Sequence, residues 1–307
     1  MKREVIKIPA KTFLCPDSNR IEIAKCLEVN GCRLGSRCAT LPYLNLIAFD
    51  REYKGISPSM AGTGPMQIYL KATVDYTIDP YERVWAAFGT STHGKLSIHS
   101  YTRNVLSEEP LSDEEMKGIP DCLETEEGTD DEYIISDYKN FGSYKVAKCL
   151  GISIIKTDKP ILDEEGNPVL LKSGKNKGAV KTKQETEVII DPNNAELDAE
   201  KLQINRYRIF FEYYGFGISD MRLQVMVRDG GTYIAKSRGI DKNMYIIPIP
   251  FLDDKKVLSY YYNLDYEVKQ AFQGNYRKCN AWESWDNRRC NGYCEISDQC
   301  KQLLGWG

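Results

Sequence analysis

Two carboxylates and an ammonium stand at spacings that let them converge on one patch. Asp121 follows Gly118-Ile-Pro, and Asp137-Tyr138-Lys139 closes the run Ile134-Ile-Ser. Residues 119–125 and 132–138 read as two short strands, and the polar Glu126-Glu-Gly-Thr-Asp-Asp between them reads as a hairpin turn. Side chains alternate faces along a strand, so Asp137 and Lys139 point the same way, and a hairpin partner brings Asp121 beside them. Such a patch has a definite chemistry. Carboxylates are hard oxygen ligands for Mg²⁺ or Mn²⁺. The cation can acidify a water and offset charge building on a phosphate, while a lysine positions that water and stabilises the charged transition state.

The flanking elements supply further groups. Residues 79–106 read as a helix opened by Asp79-Pro80 and interrupted at Gly89; it carries His93 within Phe88-Gly-Thr-Ser-Thr-His93-Gly-Lys-Leu. Residues 193–214 form an amphipathic pattern started by Asn193-Asn194 and closed by Gly215. Gln203 and Tyr207 sit there four apart, on one helix face. Glu108-Glu109 precede the first strand of the hairpin. A last helix is expected from Asp253-Asp254 to about Phe272, and strands at Leu223-Gln-Val-Met-Val and Met244-Tyr-Ile-Ile-Pro.

The order His93, Pro120-Asp121, Asp137-Tyr138-Lys139, then Gln203-x-x-x-Tyr207 resembles the PD-(D/E)XK nuclease superfamily, in its RecB-type branch. Ile56-Ser-Pro-Ser59 is similar to the serine-rich opening of RecB-type domains, and the resemblance covers about residues 56–272. It implies an α/β, restriction-endonuclease-like core: a central mixed sheet flanked by helices. It also implies Mg²⁺- or Mn²⁺-dependent hydrolysis of DNA phosphodiester bonds, often exonucleolytic, in recombination, repair or phage replication. His93, Asp121 and Asp137 would hold the cation, assisted by the Tyr138 carbonyl and Glu109, the carboxylate preferred over Glu108. Lys139 would orient and stabilise, and Gln203 and Tyr207 would position the DNA strand or Lys139. DNA ends or single strands, with recombination or replication proteins, are the implied partners. Several RecB-type relatives, CRISPR-adaptation nucleases among them, bind an iron–sulfur cluster through one cysteine before the histidine helix and three near the C-terminus. Here the loop for that first cysteine reads Gly62-Thr-Gly-Pro-Met-Gln, without one.

Eight of the ten cysteines gather at the two ends: Cys15, Cys26, Cys32 and Cys38, then Cys279, Cys290, Cys294 and Cys300. Four thiolates can close a zinc site or hold a 4Fe-4S cluster. The trio Cys290, Cys294, Cys300 is similar to the iron–sulfur trio, its fourth ligand being Cys279 or an N-terminal cysteine. A zinc site is the preferred reading of the N-terminal group, with metal-free thiols or ligands shared with the C-terminal group as alternatives. Cys122 and Cys149 read as core thiols. Trp282, Trp285, Arg288 and Arg289 could stack on bases or grip phosphates, or the tryptophans could simply dock the module.

The net charge of −3 is unusual for a nucleic-acid binder, but it is uneven. Residues 107–137 hold thirteen acidic side chains against Lys117 alone; the remainder carries 40 basic and 31 acidic residues, a balance of +9. An acidic island in a basic protein suits a cation site beside a phosphate-binding surface, though a solvated acidic loop would look the same. No apolar run approaches the roughly 20 residues of a membrane span, and the opening Met-Lys-Arg-Glu-Val-Ile-Lys lacks an apolar signal core, so a cytoplasmic protein is expected. The expected organisation is an N-terminal cysteine module at 1–55, a nuclease core at 56–275 with an insertion at about 151–192, and a C-terminal cysteine module at 276–307. Lys172, Lys175, Lys177, Lys181 and Lys183 in the insertion could clamp a DNA backbone or face solvent. Two rival functions remain at this stage: a DNA-binding module without catalysis, and an adaptor organised by its metals.

Overall fold

The computed structural model describes residues 10–48, 53–99, 104–129 and 131–305. The opening Met1-Lys-Arg-Glu-Val-Ile-Lys, and the stretch 49–52 that ends the expected N-terminal module, lie outside these. The chain opens with a three-stranded sheet in which β1 (Ala10–Leu14) pairs antiparallel with β2 (Arg20–Glu22) and parallel with β3 (Tyr76–Ile78). Between β2 and β3 come α1 (Ile23–Leu27), α2 (Leu41–Ala48) and α3 (Pro65–Thr73). Pro65 starts α3 just after Gly64, at the position where a missing N–H costs nothing.

The helix expected at 79–106 is shorter. Residues 80–83 form a turn, α4 runs Val84–Ile98 straight through Gly89, and β4 (Val105–Ser107) takes the end of the expected range. Its 100–103 portion lies outside the described residues. A small hairpin, β5 (Leu111–Ser112) and β6 (Lys117–Gly118), precedes β7 (Cys122–Thr125) and β8 (Glu132–Phe141). The β7–β8 hairpin has the expected form, with Cys122 opposite Ser136 and Thr125 opposite Tyr133, and β8 runs on through Lys139. β4 flanks β7 on its other side, Ser107 opposite Cys122.

After α5 (Ser143–Cys149) the insertion is a long hairpin of β9 (Ile152–Pro160) and β10 (Thr182–Ile190), prolonged by the bridges Leu162–Pro168 and Leu170–Val180. α6 (Asp198–Tyr213) starts five residues later than Asn193-Asn194 suggest. The Asp191 carboxylate accepts from the Asn193 N–H and closes a separate 3-10 turn at Pro192–Asn194, so those asparagines cap nothing in α6. Gly215, at φ +89°, ends the helix as expected. Then follow β11 (Gly217–Val227), α7 (Tyr233–Ser237), β12 (Met244–Pro248), α8 (Asp254–Phe272), α9 (Ala281–Ser284), α10 (Arg288–Gly292) and α11 (Ser297–Leu303). α8 keeps its expected limits. Asp253 caps it through the Lys256 N–H, and Val257, Tyr261, Leu264 and Val268 bury one stripe at helical spacing.

The largest sheet has the order β12-β11-β8-β7-β4. Its edge pairs are antiparallel: Ser107 faces Cys122, and the Ile249 N–H reaches the Met221 carbonyl as the Val227 N–H reaches that of Asn243. The central pair β8–β11 is parallel, since Tyr133 and Ser136 meet Ser219 and Arg222 in the same sequence direction. A parallel pair needs a crossover, and α6 lies in it. The fold is thus mixed α/β with a five-stranded mixed sheet flanked by helices.

Contacts divide the chain into two compact units, Met1–Tyr138 with Asp198–Leu223 and Pro248–Gly307, and Lys139–Leu197 with Gln224–Ile247. The first holds two apolar clusters. One joins Phe13, Leu44, Met66, Leu70, Ile78 and Ile296; the other joins Ile68, Tyr207, Phe210, Val257 and Tyr261. In the second, the β9–β10 ribbon is mostly exposed, and so are Lys172, Lys175, Lys177, Lys181 and Lys183. Among the described residues no helix is long and apolar enough to cross a membrane.

Candidate metal centre

The carboxylate site is built by register. Asp121 stands one residue before β7, and β4 runs antiparallel to β7, so continuing the pairing of Ser107 with Cys122 sets Glu108 opposite Asp121. The Glu108 N–H bonds the Asp121 carbonyl at 3.3 Å, and Ser107 Oγ donates to the same oxygen at 3.0 Å. Glu108 takes a left-handed backbone, φ +56°. α4 brings His93 to this pair: Nδ1 lies 3.2 Å from Asp121 Oδ1 and 3.7 Å from Glu108 Oε1. His93, Glu108 and Asp121 each offer a ligand atom within 4.8 Å of the others.

The His93 ring has a donor problem. Its Nε2 lies 3.0 Å from the Tyr138 carbonyl oxygen, while Nδ1 faces two carboxylates. A neutral imidazole carries one N–H and one lone pair, so one nitrogen would turn its lone pair toward another acceptor. Only added positive charge, a second proton or a cation, suits this arrangement. The remaining Asp121 oxygen, Oδ2, accepts from the Tyr138 N–H at 2.6 Å, which holds the carboxylate against β8.

Asp137 is 1% exposed and is not one of the three groups that meet within 4.8 Å. Its Oδ1 accepts from Gln203 Nε2 at 3.0 Å. Tyr207, one turn along α6, is 3% exposed. Burial, then the nearby Asp137 charge, pushes its phenol well above the usual range. Gly118 leaves room for that ring: a Cβ there would come within 2.8 Å of Tyr207 Cε1. Gln203 and Tyr207 therefore share one face of α6, as their spacing requires, but they support Asp137. The expected role of the pair is to position the DNA strand or Lys139; here Tyr207 is buried and the Gln203 amide is bonded to Asp137. Burial and then Cys122 likewise raise the Tyr138 phenol. Lys139 follows on β8, half-buried, two residues past Asp137.

A correction concerns Glu109. It is exposed, and Glu108 is the carboxylate that joins His93 and Asp121. Sequence alone could not choose between the two, since the choice rests on the β4–β7 register and the left-handed turn at Glu108. The donors that converge, two carboxylates and an imidazole, could together hold a metal ion.

The C-terminal cysteines also meet. Cys279, Cys290, Cys294 and Cys300 line one cavity of about 40 Å³, with Gln67, Glu283 and Arg289. Burial, then Glu283 and the other three cysteines, push the Cys279 thiol up to about 11. Cys279 precedes α9, whose Asn280–Glu283 capping box is held by Arg277; that guanidinium bonds Glu283 at 2.7 Å and Glu267 at 2.6–2.8 Å. Gly64 makes space for the thiol, since a Cβ there would stand 2.3 Å from Cys279 Sγ. So Cys279 approaches the very loop that lacks the expected first cysteine, and the four C-terminal thiols share the cavity without an N-terminal one. Arg289, also in that wall, donates to the carbonyls of Gly62 and Glu283 at 3.0 and 3.2 Å and lies 4.9 Å from the Trp285 ring centre. Its charge faces Cys294, Cys279 and Cys290 ahead of any carboxylate. Arg289 is thus bonded to backbone carbonyls of the module and of the Gly62 loop, and the Trp282 ring packs on Tyr260 at 5.9 Å. Cys122 and Cys149 are buried outside both cysteine groups, as expected of core thiols.

No protein-family model and no curated protein sequence matches the chain. Among solved structures, one described as "Crystal structure of SSO0001" is similar with a TM-score of 0.39 and 14% identity, over 85% of this chain and 93% of that one. A likeness that low carries no argument about function.

Proposed function

We propose that this protein is a divalent-metal-dependent deoxyribonuclease, an exonuclease in type, that hydrolyses phosphodiester bonds in DNA ends or single strands. One observation carries the reading: the His93 ring has both nitrogens on oxygen acceptors, with Asp121 and Glu108 on one side and the Tyr138 carbonyl on the other. That arrangement calls for added positive charge, and in this reading a divalent cation shared by His93, Glu108 and Asp121 supplies it. A Mg²⁺ or Mn²⁺ ion bound there would acidify a water and offset charge on the phosphate. Asp121 and Glu108 contribute oxygens and His93 a nitrogen. Gln203 keeps Asp137 oriented, with Tyr207 packed behind it. Lys139 lies on the same strand face as Asp137 by alternation and supplies a positive donor for a non-bridging phosphate oxygen. In the same reading the C-terminal thiols hold a thiophilic centre, zinc or a 4Fe-4S cluster, that organises their module.

The test is degradation of end-labelled linear and single-stranded DNA with Mn²⁺ or Mg²⁺, by the parent and by Asp137→Ala and Lys139→Ala. Loss of cleavage by at least 100-fold in both variants, with DNA binding and folding retained, is the expected result. No cleavage by the parent with either metal on any DNA form would move the protein to the class of non-catalytic DNA binders.

A further inference from the structure

The long insertion is the part of the molecule that core packing explains least. β9 and β10 pair over their full lengths, Ile152 opposite Ile190 and Pro160 opposite Thr182. At nine residues each they make a ribbon about 30 Å long. Its root is anchored at Gly239, where a Cβ would come 2.8 Å from Val188 Cγ1 and 3.3 Å from Ile152 Cγ2. From Ile155 to Pro160, and all along β10, both faces are exposed. A lone two-stranded ribbon gains little from burial, and long insertions that bury so little are commonly functional.

The tip is nevertheless built. Three backbone bonds close a ring: the Ile161 N–H to the Lys181 carbonyl at 2.8 Å, Val169 to Ile161 at 2.8 Å, and Lys181 to Val169 at 2.7 Å. Ile161, Val169 and Leu171 are half-buried there. Two turns of opposite charge extend from this ring. Asp163-Glu164-Glu165-Gly166 is held by the Asp163 carboxylate, which accepts from the Glu165 and Asn167 N–H groups at 3.0 and 2.8 Å. The other turn is closed by Leu171 N–H on the Ala179 carbonyl at 2.8 Å and Gly178 N–H on the Leu171 carbonyl at 2.9 Å. Residues 171–183 hold Lys172, Lys175, Lys177, Lys181 and Lys183 and no acid. All five are exposed. Lys183 lies near Glu185, which bonds Lys159 at 2.7 Å; the other four enter no ion pair among the described residues. The lysine turn thus has a fixed backbone and charge that nothing in its own unit neutralises.

Charge and composition together indicate the occupant. The compact unit that holds the ribbon carries 14 basic against 10 acidic side chains, and the rest of the chain 27 against 34. Residues 151–197 contain no aromatic side chain. The ribbon therefore has nothing to stack on bases and no aromatic anchor for a lipid interface. Lysine ammoniums are point charges without the planar fork that reads base edges, so they suit phosphate. We propose that the β9–β10 ribbon is a DNA-binding arm whose Lys172, Lys175, Lys177 and Lys181 hold the phosphate backbone without reading sequence. The choice of DNA among polyanions rests on the nuclease reading above. Contact of this kind is electrostatic, and each engaged lysine releases a counterion.

The experiment follows binding of a labelled duplex of about 30 base pairs to the full-length protein by fluorescence anisotropy, in EDTA, from about 50 to about 200 mM salt. It compares the parent with Lys172→Ala/Lys175→Ala/Lys177→Ala/Lys181→Ala and with Lys25→Ala/Lys54→Ala/Lys255→Ala/Lys256→Ala, four exposed lysines outside the ribbon. The ribbon variant should bind at least about tenfold more weakly at low salt, with a log–log salt slope reduced by about 2–4, on two unrelated sequences alike. The second variant should bind as the parent does. A ribbon variant that binds unchanged overturns the proposal, as does an equal loss in the second variant or a loss confined to one sequence. Cleavage with Mn²⁺ is scored separately. A parent that cuts DNA while the ribbon variant binds unchanged removes the arm alone; ribbon-dependent binding without cleavage supports the arm and removes the nuclease. Ribbon-dependent binding to phosphatidylserine–phosphatidylcholine vesicles, with none to DNA, overturns the proposal in favour of a membrane contact. Should the ribbon variant fold poorly, acetylation mapping of the parent decides. DNA should shield Lys172, Lys175, Lys177 and Lys181, and equal labelling with and without DNA overturns the arm.

Discussion

Both ends of the chain carry four cysteines, in different settings. The C-terminal cysteines surround a cavity whose walls are set by other interactions: the Asn280–Glu283 capping box, the Glu267–Arg277–Glu283 bridge, and Ser297 Oγ bonding the Cys290 carbonyl at 2.6 Å. Ile296, 1% exposed, ties the module to the same apolar cluster as Phe13 and Leu44. The N-terminal cysteines lie around a stretch without regular structure, with exposed apolar side chains and exposed ion pairs. The comparison teaches that four thiols do not make equivalent sites. One set lines a cavity walled by polar contacts, and the other borders a stretch without regular structure.

The largest effect expected from this contrast lies in the Arg277 bridge. Arg277→Met leaves Glu283, 4% exposed, without its cation, which costs about 3 kcal/mol in urea unfolding and empties the C-terminal centre. The matching change at the other end, Arg33→Met, breaks an exposed pair with Asp17 and should leave the unfolding midpoint unchanged. Equal losses at the two ends would end the contrast. Next comes Gly64→Ala. The backbone there, at φ −69°, accepts alanine, so the effect is steric: the new methyl meets Cys279 Sγ. A loss of about 1–3 kcal/mol, with faster alkylation of Cys279 and none at the N-terminal cysteines, is expected from denaturation and thiol mapping.

The oxygen site gives an internal control. Gln203→Leu removes the bond to buried Asp137 and should cost about 1–2 kcal/mol, with weaker Mn²⁺ binding by calorimetry and no change at either cysteine group. The smallest effect is kinetic. Under thiol alkylation with peptide mapping, Cys15, Cys32 and Cys38 should label before the cavity-lining Cys279, Cys290, Cys294 and Cys300. Simultaneous labelling would mean that the open and enclosed settings do not differ.

Much of the frame was legible along the chain. The β7–β8 hairpin follows from two apolar runs about a polar turn, and α8 from the Asp253 cap and a continuous buried stripe. The start of α6 was misread because Asp191 draws Asn193 into a separate turn, a competition between two local caps that residue type does not resolve. Glu108 was passed over for Glu109 because a one-residue difference depends on strand register.

Sequence by itself determined the ligand inventory: which carboxylates, histidine and thiols exist, their order, and the i, i+4 relation of Gln203 to Tyr207. These are local facts, set by residue chemistry and the periods of helix and strand. Tertiary structure alone decided that Glu108 faces Asp121, that Gln203 holds Asp137 from 66 residues away, that Tyr207 is buried, and that Cys279, Cys290, Cys294 and Cys300 line one cavity. Those relations join residues distant along the chain, so they depend on register and on which apolar faces pack together, and neither is written in any short stretch of residues.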